Sequence, residues 1–171
     1  LLALVTCNDL PRSEIFRILI DALIDHAHSV RVEAIRAIAE MEGEEAALLL
    51  RLKARAGDKE TAVTGQAFDS LLRLEPARGL DFVKEYLKSD AEELREEAAL
   101  ALGASRRADA VDALLEAWPD AAGIMFRKTL LRALGASRQD KALQFLREMV
   151  EAGGMHAPAA KEALQLTARS Q

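Results

Sequence analysis

The chain has 171 residues, half of them hydrophobic but only 4% aromatic, and its formal net charge of −5 lacks the basic surplus by which nucleic-acid binders neutralise phosphates. A single cysteine, Cys7, excludes an internal disulfide framework and suits a reducing, cytoplasmic setting. No apolar run is long enough to span a bilayer, and Leu1 to Val5 lack the charged flank and cleavage site of a signal peptide.

Ala, Leu, Glu, Arg and Lys dominate and β-branched runs are nearly absent, so the chain reads as helix throughout. Leu1 to Cys7 reads as a helix cut short, and Ser13 to His26 as its partner, together a partial unit over residues 1–28. Four complete helical hairpins follow, over 29–57, 58–89, 90–119 and 120–153. Ala157 to Ala168 opens a second partial unit, over 154–171. Neither end carries the strongly polar cap that a terminal repeat needs, which predicts a segment of a longer protein and the possibility of self-stacking through open ends.

The hairpins repeat. LREEAALALGAS (94–105) returns as FRKTLLRALGAS (126–137), and VRVEAIRAIAEM (30–41) occupies the same frame, with nearly even steps of about 32 residues. First helices carry apolar residues at helical spacing, such as Leu94, Ala98, Ala101 and Leu102. Gly43, Gly103 and Gly135 are expected to end them as left-handed caps, and Pro76 to break the second unit at the equivalent place. Ser105 and Ser137 are expected to cap the second helices, with Asp140 following Ser137. Those second helices share buried columns: Ala47, Leu80, Val111 and Leu143; Leu50, Val83, Leu114 and Leu146; Ala54, Leu87, Trp118 and Val150. Hairpins this short bury their faces only by stacking on neighbours, so the whole chain is expected to form one domain.

The tetratricopeptide and ankyrin marks are missing. The three quoted motifs resemble instead the short HEAT-like repeats of the phycobilisome bilin lyase type, over nearly the whole chain. That resemblance implies an all-α, right-handed α-α superhelix, an armadillo-like solenoid with first helices outside and second helices lining a concave face. It identifies a fold more than a function, because the family includes adaptors, lyase subunits, DNA-repair enzymes and hydroxylases.

Arg31, Arg95 and Arg127 recur at the start of first helices, and Asp25, Asp58, Asp90 and Asp120 in the loops before them. One reading is an anion-binding row. The other, which the resemblance also implies, is an Asp–Arg ladder joining successive repeats. Candidate binding residues lie on the second helices, outside the core columns: Arg51, Lys84, Glu85, Tyr86, Glu116, Arg147 and Glu148, a face of mixed sign. His26, His28 and His156 read as exposed loop histidines, since a zinc site needs three or four ligands and the His-Glu pairs of the hydroxylases are missing. Trp118 falls in a core column, and Cys7 has no partners for nucleophilic catalysis. The sequence therefore predicts no catalytic residue, metal or cofactor. It predicts a soluble protein-binding scaffold whose partner is another protein or peptide, with nucleic acid disfavoured. The alternatives are an enzyme subunit of the bilin lyase or DNA glycosylase type, or a structural spacer.

Overall fold

A computed structural model describes residues 1–5 and 10–169, and they form eleven helices and no strand. Cys7 lies outside the described residues. The chain divides into two compact units, Leu1–Gly79 and Leu80–Gln171.

The first unit contains α1 (Leu2–Val5), α2 (Arg12–Ala22), α3 (His28–Glu40), α4 (Gly43–Ala56), α5 (Thr61–Leu74) and the start of α6 (Pro76–Tyr86). Helix α3 packs against α5, and α4 lies against both. Ala34, Ile35, Ile38, Leu50, Phe68 and Leu71 fill the space between them and are fully buried. Each large aliphatic or aromatic side chain buried this way contributes about 1.5–3 kcal/mol. Pro76 starts α6, where the missing N–H costs nothing.

The second unit holds the rest of α6 and α7 (Glu92–Ala104), α8 (Ala108–Ala117), α9 (Ile124–Ser137), α10 (Asp140–Ala152) and α11 (Ala157–Arg169). First helices stack on first helices, α7 on α9 and α9 on α11, while α8 and α10 pack beneath them. The columns expected of the second helices largely face inward. Leu50, Val83, Leu114 and Leu146 are buried, as are Ala47, Val111, Ala54 and Leu87; Leu80, Leu143, Trp118 and Val150 are half-buried.

Two local expectations are corrected. Gly103 and Gly135 do not cap their helices; both lie inside them, without positive φ. Their role is close approach. A Cβ on Gly103 would stand 2.3 Å from the Ala133 carbonyl oxygen, and one on Gly135 would stand 2.9 Å from that of Ala163. The backbones of α7, α9 and α11 therefore nearly touch, and Thr167 donates across to the Gly135 carbonyl at 3.0 Å. The left-handed turn residues are Arg106 and Arg138 (φ 54° and 56°), while Gly43 opens α4 at φ 87°. Ser105 and Ser137 likewise belong to the ends of first helices. Their hydroxyls donate back to the carbonyls of Leu102 and Leu134, each at 2.6 Å, and the N-caps of α8 and α10 are Arg107 and Gln139.

Candidate functional site

The recurrent arginines share one frame and meet three different partners. Arg31 is buried at the start of α3. Its Nη1 donates to the carbonyls of Asp25 and His26, at 2.8 and 3.1 Å. Its Nε and Nη2 grip both oxygens of Asp58, at 2.8 and 2.7 Å, and Lys53 Nζ donates to the same carboxylate at 2.6 Å. The fork geometry of guanidinium and carboxylate makes this a strong, directional pair. Burial pushes the Asp58 carboxyl upward, but the hydrogen bonds from Arg31 and Lys53 outweigh it and hold the group well below the usual carboxylate range. The hydrogen bond to Asp58 in turn raises Arg31.

Arg95 repeats half of this arrangement. Its Nη1 donates to the carbonyls of Ser89 and Asp90, at 2.7 and 3.3 Å, the same positions upstream as Asp25 and His26 are from Arg31. Its Nε and Nη2 meet no acceptor among the described residues, and the residue is half-buried. The guanidinium lies 5.3 Å from the centre of the Phe126 ring. It lines a cavity of about 320 Å³ with Leu87, Ala117, Ala121, Ala122 and Phe126 as apolar walls.

Arg127 diverges again. Its Nε donates to the Ala121 carbonyl at 2.8 Å, and its Nη1 lies 3.2 Å from His156 Nε2. Trp118 sits under the guanidinium at 5.3 Å and meets His156 and Phe145 edge-on, with centroids at 5.4 and 5.7 Å. His156 is thus half-buried and engaged, contrary to the expectation of an exposed loop residue.

The expected Asp–Arg ladder therefore reduces to Arg31–Asp58. Asp90 and Asp120 are exposed and form no ion pair among the described residues. The reason is local: in the frame of Arg31 and Asp58, Ala122 stands where Asp58 does, and Asp120, two residues earlier, shares a cavity with Arg95 but forms no ion pair with it among the described residues.

The second-helix candidates differ in how committed they are. In the first unit Arg51 pairs with Glu75, and both side chains are mostly buried. In the second, Lys84 Nζ donates to Glu116 at 2.6 Å with both groups in solvent. Glu148 accepts from Gln144 at 2.9 Å, while Glu85 and Arg147 are exposed and form no ion pair among the described residues. Tyr86 is half-buried, with its ring tilted against Phe82 at 5.4 Å. His28 is the first residue of α3, and His26 contributes its carbonyl to Arg31. Among the described residues no group of three or more His, Cys, Asp and Glu side chains is arranged to hold a metal ion, and no helix is long and apolar enough to cross a membrane.

The family model and one solved structure agree with this architecture. The family model for HEAT repeats matches residues 80–165, just over half of the chain. The protein belongs to the HEAT-repeat family. Among solved structures it is similar to smu.31 of Streptococcus mutans UA159, at 17% identity and a TM-score of 0.60, covering 96% of this chain and 87% of that one. An engineered protein is similar at 18% identity and a TM-score of 0.45, covering 98% of this chain and 88% of that one. No curated protein matches the sequence.

Proposed function

We propose that the chain is a non-catalytic protein-binding scaffold that presents its second helices to another protein or peptide. The observation that carries this is the division of labour between helices. In the second unit the first helices stack on one another, while the second helices keep Glu85, Glu116, Arg147 and Glu148 in solvent; in the first unit, Leu48 and Leu52 of α4 are exposed. The mixed sign of those second-unit residues suits a protein partner better than a phosphate backbone. The depressed carboxyls of Asp58 and Asp109 are each accounted for by an arginine partner, so they support a structural role rather than a catalytic one. Within the family, the repeats read as the short type of the phycobilisome bilin lyases, with a cytoplasmic setting.

The test is an affinity pull-down from native lysate, read by mass spectrometry. The chain is compared with a Lys84→Glu, Arg147→Glu variant that leaves the Arg51–Glu75 pair intact. A protein recovered by the parent and lost by the variant supports the reading. Equal recovery by both moves the surface off the second helices. Turnover of any candidate substrate by the purified chain contradicts the non-catalytic half.

A further inference from the structure

We propose that the Arg95 cavity is a seat for a carboxylate supplied by the bound peptide, an inference that rests on the protein-binding reading and names the chemistry of the partner. The template is in the same molecule. At Arg31, one edge of the guanidinium is spent on two upstream carbonyls, and the other edge grips Asp58 with help from Lys53. At Arg95 the carbonyl edge is spent identically, Nε and Nη2 have no acceptor among the described residues, and the side chain lines the cavity. The positions that carry Lys53 and Asp58 in the first frame carry Ala117 and Ala122 in the second, and both alanines line the cavity. The hollow is what remains when that lysine and aspartate are replaced by methyl groups.

The rest of the lining narrows the ligand. Lys84, Lys88 and Arg95 are balanced by Asp90, Glu116 and Asp120, and Glu116 is already held by Lys84. A site of no net charge does not attract polyanions. Its preference comes from the fixed two-pronged geometry of Arg95 stacked near Phe126, which matches a planar monoanion. The apolar walls, Leu87 and Phe126 with the alanines, accept an aliphatic group beside that anion. The ligand is therefore an Asp or Glu side chain, or a peptide's terminal carboxylate, flanked by apolar residues.

The experiment follows the Arg95 Nε–H resonance of the full chain by NMR during titration with three probes. They are sodium acetate, the blocked peptide acetyl-Leu-Asp-Leu-amide, and acetyl-Leu-Leu with a free terminal carboxylate. Sodium chloride at matched ionic strength is the control. The variant Ala122→Asp rebuilds an internal carboxylate where Asp58 stands in the first frame, and it preserves Arg95 and its loop contacts. We expect a saturable downfield shift with acetate and tighter binding of one peptide, which identifies the source. Ala122→Asp should weaken that binding about tenfold or more, the scale of losing one charge-assisted bidentate contact. The absence of a saturable shift with all three probes overturns the proposal, and so does equal binding by Ala122→Asp. Protein recovery in the pull-down of the preceding section stands apart: a partner retained by Ala122→Asp leaves the scaffold reading intact while removing the seat.

Discussion

Arg31 and Arg95 hold the same backbone frame two repeats apart, and only Arg31 has a carboxylate in its grip. One repeat closes the frame with its own Asp58 and Lys53. The other leaves an arginine without a carboxylate at the edge of a cavity. A feature that locks the fold in the first unit is left without its carboxylate in the second.

The closed frame makes a stability prediction. Asp58→Asn leaves two cations crowded in a nearly sealed place, and breaking a buried pair from one side is among the costlier single changes. The expected loss is roughly 10 °C in Tm, read by circular dichroism at pH 7.

The same carboxylate sets an acid dependence. Its folded pKa lies below its unfolded value of about 3.9, so the unfolded chain takes up the proton first as pH falls. The stabilisation from Asp58 is complete above about pH 5 and drains away below about pH 4. Urea midpoints at pH 7, 4 and 3 should therefore fall more steeply for the parent than for Asp58→Asn, with the gap between them closing at the acid end.

Gly103 gives a prediction whose sign is diagnostic. At a helical φ, Gly→Ala ordinarily stabilises by about 1 kcal/mol. Here the new methyl meets the Ala133 carbonyl, which belongs to backbone and cannot swing away. Gly103→Ala should destabilise by about 1–3 kcal/mol in denaturant unfolding. A gain in stability would mean that α7 and α9 are not in backbone contact.

The second-helix charges are not interchangeable. Glu116→Ala removes a pair held in solvent and should change stability by no more than about 0.5 kcal/mol. Glu75→Ala strips the partner from a mostly buried Arg51 and should cost about 1–3 kcal/mol. Differential scanning calorimetry of the two variants separates them.

The repeat frame was legible because the 94–105 and 126–137 segments are near copies, and the core columns followed from helical spacing. The glycines were misread for a definite reason. A Gly near the end of a helix satisfies the local rule for a cap, whereas what constrains Gly103 is Ala133 on another helix, which no local rule contains. The serines failed similarly, since a hydroxyl can return to the carbonyl three residues back as readily as it can cap forward. The arginine row was visible, but its partners were not. His156 stands 29 residues after Arg127, close to the 27 that separate Arg31 from Asp58. That spacing is the sequence signal for His156, and it is obscured because a histidine stands in place of a carboxylate. The open fork of Arg95 was hidden because the loop does carry the expected Asp120, while Ala122 stands at the spacing that Asp58 keeps from Arg31.

The central claim, that the second helices present the binding surface, is tested most directly by cross-linking the chain to its captured partner with a lysine-reactive reagent and mapping the links by mass spectrometry. Lys84 and Lys88 lie at the Arg95 cavity, whereas Lys128 and Lys161 lie on the first helices α9 and α11. The account predicts intermolecular links concentrated at Lys84 and Lys88. Links confined to Lys128 and Lys161 would contradict it.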